Sequence, residues 1–208
     1  MDDLLFAKVN LPELDKQSAI ESIYKIEDSL WFWDDYRATS MLPLMTKGAQ
    51  KGSDGAINRF RTDEFRWIDY TPCVIKDWFD DIVFPWMGCK SRVMVLKTKS
   101  GFSNNEHIDC DPAELGTRQH KFRIVIKGKT DTLYFITSQG NIQVPNISGP
   151  FIMDGGWPHG MSNYTEEEKI TIAVGAPWNG KDQYQDIEKL LSRHQHQMPD
   201  NMGKYFKI

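Results

Sequence analysis

The second half of the chain consists of short runs of residues that favour extended backbone. From Arg92 onward, runs rich in Val, Ile, Phe, Tyr and Thr recur, and Gly, Pro or Asn residues separate them. Several strands at this spacing are typical of a β-sandwich or a barrel. The pattern predicts six strands, over residues 92–99, 121–127, 131–137, 141–144, 150–154 and 169–175.

Helical patterns lie on either side of this strand-rich region. Apolar residues in 14–30 fall on one stripe of a 3.6-residue period, which predicts an amphipathic helix. In 72–87 apolar residues recur four apart after a proline that suits a helix start, which predicts a second helix. A last helix is predicted over 182–195, where Ile187, Leu190 and Leu191 share one face.

These patterns together predict one domain. The chain has 208 residues and 40% hydrophobic residues, which suits a soluble domain with a real core. We expect a mainly β fold with flanking helices, in which 1–90 form a helical N-terminal part, 91–178 the β core, and 179–208 a C-terminal helix and tail.

Charge and cysteine content exclude several classes of protein. With 25 Lys and Arg against 29 Asp and Glu, the formal net charge of −4 disfavours nucleic acid as the main partner. Cys73, Cys89 and Cys110 are odd in number and none lies two residues from another, so a cytoplasmic location is expected. We find neither a signal-peptide pattern nor an apolar run of about 18 residues, so no membrane partner is expected.

Three residues form a pattern that is typical of a metal site. His107 and Asp109 stand two apart, and His159 follows 52 positions after His107. Residues at i and i+2 of an extended segment project to the same side, so a distant third ligand can complete one triangular face. Two histidines and one carboxylate on such a face suit Fe(II), because three coordination positions stay open. The alternative is that all three are ordinary polar loop residues.

A lysine and a threonine add a possible anion site. Lys169 and Thr171 share one face of the predicted strand 169–175, while Ile170, Ile172 and Val174 share the other. An inward Lys beside a Thr hydroxyl would bind a carboxylate through one charge-assisted and one neutral hydrogen bond. The alternative is a lysine that extends from the strand end into solvent.

The pattern H-I-D at 107–109, a distant His159, and a basic residue ten positions later followed by Thr171 resembles the Fe(II)- and 2-oxoglutarate-dependent dioxygenases. The resemblance covers about 92–178, and the segment WPHGMSNYTEEEKITI is similar to the aspartyl/asparaginyl β-hydroxylase-like and prolyl 4-hydroxylase-like branches. It implies a double-stranded β-helix, or jelly roll.

The resemblance also implies roles for individual residues. His107, Asp109 and His159 would bind Fe(II), and Lys169 with Thr171 would hold the distal carboxylate of 2-oxoglutarate. The R-x-H pattern near the C1 carboxylate in aspartyl-hydroxylase-like enzymes is similar to Arg118 and His120 here. Arg123 is a rival for that contact, and Tyr134 is either a further neighbour of the cosubstrate or a core residue.

The function implied is hydroxylation of a C–H bond, with O2 as co-reactant and release of succinate and CO2. Besides the small-molecule cosubstrate, a peptide or an amino acid is the expected substrate, and the sequence leaves the oligomeric state open. Two alternatives are a non-catalytic jelly-roll module that binds Zn(II) or another divalent metal, and a cupin-like enzyme without 2-oxoglutarate. Arg37 and the Gly-rich stretch after it are proposed as a lid over the substrate.

Overall fold

A large antiparallel sheet forms the framework of the protein. The computed structural model describes residues 4–47, 64–114, 120–174 and 186–206. The strands of the large sheet are β1 (Leu4–Val9), β2 (Phe32–Asp34), β3 (Thr39–Lys47), β4 (Phe65–Trp67), β5 (Val93–Thr98), β6 (His120–Lys127), β9 (Pro150–Asp154), β11 (Lys169–Val174) and β12 (Ile187–Ser192). They lie in the order β12-β1-β9-β6-β11-β5-β3-β2, and β4 pairs with β3.

A small sheet faces one side of the large one. It has the order β10-β7-β8, formed by β7 (Leu133–Thr137), β8 (Gly140–Gln143) and β10 (His159–Met161). Single bridges from Ser103 to Ser162 and from His107 to His159 extend it by one irregular segment. Two facing antiparallel sheets of this kind are a jelly roll, so the expected fold class is confirmed.

Helices cover the other side of the large sheet. α1 (Lys16–Tyr24) and α2 (Cys73–Trp78) pack there, and α2 continues through a π turn into α3 (Phe84–Met87). The face of β11 that carries Ile170, Ile172 and Val174 joins this helix-side core. The opposite face of β11 turns toward the small sheet, so the predicted alternation of this strand is confirmed.

The six strands predicted from 92 to 175 are all present, and a helical segment spans the predicted 72–87. α1 is shorter than predicted, since Tyr24 is its last residue. Residues 1–90 were expected to be helical, yet they also contain β1, β2, β3 and β4. β1 and β3 lie inside the large sheet, where β1 pairs with β9 and β12 and β3 pairs with β2 and β5, so their place in the fold depends largely on strands distant in sequence.

The predicted C-terminal helix is wrong for the described residues 186–206. The segment Ile187–Ser192 is β12, and it pairs with β1, with Val9 opposite Ile187. Just beyond it, Arg193 Nε lies 3.3 Å from Asp154 Oδ2. These contacts are made with residues distant in sequence, so the local spacing of apolar residues does not predict them. None of the described helices has the length and apolar character needed to cross a membrane.

Gly160 of β10 lies close to the Tyr134 side chain. It pairs with Tyr134, and a Cβ built at Gly160 would lie 2.5 Å from the hydroxyl oxygen of Tyr134 and 2.6 Å from its Cζ. We therefore expect Gly160→Ala to lower the free energy of unfolding by about 1–3 kcal/mol, because the Tyr134 ring must move. Urea unfolding measures this change.

Gly203→Ala is the matched control for this substitution, because the nearest atom to its new Cβ lies 3.5 Å away. In a Tyr134→Ala background, Gly160→Ala should lower the free energy of unfolding by less than it does in the wild type, because the ring that the new Cβ displaces is absent. Equal stabilities of Gly160→Ala and Gly203→Ala would contradict the steric explanation.

Candidate functional site

A cavity of about 80 Å³ lies between the two sheets. It has room for about three water molecules at about 30 Å³ each. The wall contains all three residues of the predicted metal pattern and both residues of the predicted anion site. The lining side chains are those of Arg37, Thr39, Leu96, Thr98, Asn104, His107, Asp109, Arg123, Leu133, Phe151, Met153, His159, Met161, Lys169 and Thr171.

His107 and His159 are joined through their backbones. The His107 N–H donates to the His159 carbonyl at 2.9 Å, and the His159 N–H donates back to the His107 carbonyl at 3.0 Å. Their ring centroids are 4.6 Å apart. This reciprocal bridge places two side chains that are distant in sequence side by side on the same wall.

Both imidazoles have the same ring nitrogen anchored to the backbone. Nδ1 of His107 lies 2.7 Å from the Asn105 carbonyl, and Nδ1 of His159 lies 2.8 Å from the Trp157 carbonyl. Because a carbonyl oxygen only accepts, each Nδ1 carries a proton, so in the neutral ring Nε2 holds the lone pair that faces the cavity. Burial and the neighbouring His107 lower the pKa of His159 to about 3, so this ring is neutral at pH 7.

Asp109 stands between the two Nε2 atoms. Its Oδ1 is 3.4 Å from Nε2 of His107 and its Oδ2 is 3.8 Å from Nε2 of His159. Burial by itself raises the pKa of Asp109, but Lys121, His107 and His159 outweigh that effect and hold the pKa well below its usual range. The carboxylate is therefore ionised.

These three groups fit a metal ion. One nitrogen from each histidine and one carboxylate oxygen lie within 4.8 Å of one another. Two ligand atoms about 2.1 Å from one ion and at right angles to each other would be roughly 3 Å apart, so small side-chain shifts suffice. A set of two imidazoles and one carboxylate is typical of Fe(II) and of other divalent transition metals, which bind these groups in their deprotonated forms.

Lys169 and Thr171 lie on the cavity wall contributed by β11. Lys169 is 6% exposed, and its Nζ donates to the hydroxyl of Thr132. Burial, assisted by Arg123, lowers the pKa of Lys169 to about 7, while Asp131 acts in the opposite direction. The lysine therefore does not extend into solvent as the alternative required, and it is placed to gain a proton when an anion arrives.

The structure separates the candidates for a second anion contact. Arg123 lines the cavity, and its Nη2 is 3.3 Å from Asp109 Oδ2. His120 is buried, but its Nε2 lies 2.9 Å from the Leu4 carbonyl and it is not among the described residues that line the cavity. Arg118 lies outside the described residues. Tyr134 likewise does not line the described cavity wall, and its hydroxyl lies 3.4 Å from Glu106.

Two cationic residues at the site have positions that the sequence did not predict: Lys121 had no predicted role, and Arg37 was expected in a lid. Lys121 Nζ donates to the Asp109 carbonyl at 3.0 Å and lies 3.4 Å from Oδ2 of the same residue. Arg37, expected in a lid, has its Nη2 3.4 Å from Asp109 Oδ1. Lys121 is two positions before Arg123, so strand alternation could have placed both on one face.

No protein-family model matches the chain, and no curated protein matches it. Three similar solved structures each have a TM-score of 0.48. A prolyl hydroxylase from Trichoplax adhaerens, in complex with a hypoxia inducible factor oxygen degradation domain peptide fragment, is 11% identical, covering 86% of this chain and 84% of that chain.

The second is a Pseudomonas putida prolyl-4-hydroxylase, which is 10% identical over 85% of this chain and 94% of that chain. The third is an oxidoreductase of the 2OG-Fe(II) oxygenase family from Burkholderia pseudomallei, 7% identical over 76% of this chain and 75% of that chain. At these identities and TM-scores the likeness concerns the fold alone. The case for a function therefore depends on the residues of the cavity.

Proposed function

We propose that this protein is an Fe(II)- and 2-oxoglutarate-dependent oxygenase that hydroxylates a C–H bond and releases succinate and CO2. The observation that carries the proposal is one cavity between the sheets with two inward Nε2 atoms and an ionised carboxylate on one wall and a buried amine and hydroxyl on another. The first set suits an open metal face, and the second suits a carboxylate.

Each residue has a definite task in this proposal. His107, Asp109 and His159 would hold Fe(II), which when bound supplies the activation of O2 and of the cosubstrate. Lys169 and Thr171 would bind the distal carboxylate of 2-oxoglutarate, and Arg123 would contact the carboxylate nearer the metal. Anchored Nδ1–H groups on both histidines keep their rings oriented and exclude the wrong tautomer.

The test combines binding with turnover. Under nitrogen, Fe(II) and 2-oxoglutarate should bind together in one-to-one proportion to the protein, and admission of air should then yield succinate. The non-catalytic alternative makes a different prediction, because a protein with a structural zinc site would retain Zn(II) and would not bind 2-oxoglutarate. A wild-type protein that neither binds the cosubstrate nor forms succinate is incompatible with the proposal.

The buried amine gives the proposed binding a pH dependence. Lys169 has a pKa of about 7, so it is partly neutral at pH 7 and largely neutral above pH 8. A bound carboxylate favours the charged amine, so binding takes up a proton, and we expect 2-oxoglutarate affinity to fall as pH rises from about 7 to 9. Calorimetry in buffers of different ionisation enthalpy measures the proton uptake, and Lys169→Met should abolish it.

A further inference from the structure

Arg37 is a partly buried cation that the proposed metal and cosubstrate do not require. It lies in the turn between β2 and β3, where the Asp34 carboxylate accepts from its backbone N–H at 3.0 Å and from Nη1 at 2.9 Å. Ala38 follows with a φ of +46°, which fixes the turn in a left-handed conformation. The guanidinium is thereby held on the cavity wall with 23% of its side chain exposed.

Arg37 and Lys169 lie at separate parts of the wall. Between β3, which Arg37 precedes, and β11, which carries Lys169, stands β5. Two strand spacings of about 4.8 Å place these backbones about 10 Å apart. The two guanidiniums flank Asp109, with Arg123 Nη2 3.3 Å from Oδ2 and Arg37 Nη2 3.4 Å from Oδ1, and Arg123 also acts electrostatically on Lys169. Because of the distance between β3 and β11, an anion bound at Lys169 and Arg123 would leave the Arg37 part of the wall available.

Three cationic side chains converge on the Asp109 carboxylate. Nη2 of Arg37, Nζ of Lys121 and Nη2 of Arg123 lie 3.4, 3.4 and 3.3 Å from its oxygens. A divalent ion and a 2-oxoglutarate dianion would cancel one another without neutralising these side chains, and a wall lined by cations attracts a further anionic group.

An aromatic surface is continuous with the strand that leads into Arg37. Trp33 and Phe102 pack edge to face with centroids 5.9 Å apart, yet they are 43% and 41% exposed. The Asn105 N–H donates to the Tyr36 carbonyl at 3.3 Å, which ties this turn to the segment that carries His107. Apolar parts of a substrate could pack here while its charged group reaches the guanidinium.

We propose that the primary substrate carries a carboxylate and that the Arg37 guanidinium binds it while 2-oxoglutarate occupies the Lys169 part of the cavity. This inference rests on the proposed function, since it assigns the substrate class of that same site. A guanidinium presents a planar fork that matches a carboxylate, and Asp34 and Asp109 engage only two of its five N–H donors among the described contacts. The carboxylate belongs either to a small free acid or to an acidic side chain of a peptide.

The experiment measures binding of matched acids and amides beside the metal. The protein is loaded with Mn(II) and saturating 2-oxoglutarate under nitrogen, and the relaxation of probe protons by Mn(II) reports binding near the site. The small-acid probes are benzoate and propanoate with their amides, and the peptidyl probe is N-acetyl-aspartyl N-methylamide with its asparaginyl counterpart. We expect at least one acid to bind about 10-fold more tightly than its amide, because the charge-assisted fork is lost with the amide.

Arg37→Met should remove this preference while leaving 2-oxoglutarate affinity within about 3-fold, since that anion is held elsewhere. Arg66→Met is the matched control, because Arg66 is 56% exposed on β4. Arg37→Lys should retain part of the preference. If Arg37→Met does not fold, the double variant Asp34→Asn, Arg37→Met removes the unpaired carboxylate as well.

Equal binding of every acid and its amide to the wild type, or an acid preference that survives in Arg37→Met, would overturn the inference. In either case Mn(II) and 2-oxoglutarate still bind, so the proposed function stands. Absence of Mn(II) or 2-oxoglutarate binding to the wild type would instead remove the proposed function, and the inference with it. Preference confined to the free acids or to the peptidyl acid supports the inference and identifies the source.

Discussion

His159→Ala is expected to abolish divalent metal binding in the cavity and, with it, 2-oxoglutarate-dependent succinate formation. The variant loses one of three inward ligand atoms, so the activity should fall by more than the roughly 10- to 100-fold caused by losing a residue that only orients a ligand. Metal affinity can be measured by anaerobic titration and activity by succinate release.

The control for this variant is His194→Ala, because His194 is exposed near the C-terminal end of the described chain. His159→Gln keeps more of the side-chain volume, which separates loss of a ligand from loss of buried packing. Retention of wild-type metal affinity in both His159 variants would exclude His159 as a ligand. The site would then have to be built from other residues.

Lys169→Met has the second largest expected effect, and it should lower the affinity for 2-oxoglutarate without lowering the affinity for the metal. Hydrogen bonds to charged groups contribute about 1.5–3 kcal/mol, so 2-oxoglutarate affinity should fall by roughly 10- to 100-fold. Metal affinity should stay within about 3-fold, because Lys169 does not contact the three ligand residues. Isothermal titration of each component measures the two effects separately.

Lys99→Met, at an exposed position just after β5, controls for loss of a positive charge. Thr171→Val tests the neighbouring hydroxyl with little change in shape, and we expect a smaller loss of affinity than in Lys169→Met. If Lys169→Met and Lys99→Met bind 2-oxoglutarate equally well, the anion lies elsewhere in the cavity.

Local sequence pattern predicted the parts of the fold that depend on local order. Six of the seven strands from β5 to β11 were predicted from the sequence, because turn residues close them, whereas the three-residue strand β10 was not predicted. The alternation on β11 placed Lys169 and Thr171 on one face, and the structure puts both on the cavity wall. The two-residue spacing of His107 and Asp109 likewise predicted that both side chains project to the same side, and both line the cavity.

The remaining features depend on contacts between residues distant in sequence. The apolar residues of Ile187–Ser192 suit one face of a helix, yet the segment becomes β12 because β1 offers it a paired edge. Arg37 precedes His107 by 70 positions, and only the folded turn brings it to Asp109. The local spacing of apolar and polar residues predicts neither the pairing of β12 nor the position of Arg37.

Because of the reciprocal backbone bridge between His107 and His159, the proposed metal site forms only when the two segments pair in the correct register. A one-residue slip of β10 would turn the His159 ring away from the cavity, since neighbouring side chains in a strand face opposite ways. Only molecules in which β10 has paired with the segment that carries His107 in the correct alignment would capture a metal. Metal affinity would then select correctly aligned molecules during refolding, and insertions of one residue between the two histidines would be tolerated only in turns that absorb them.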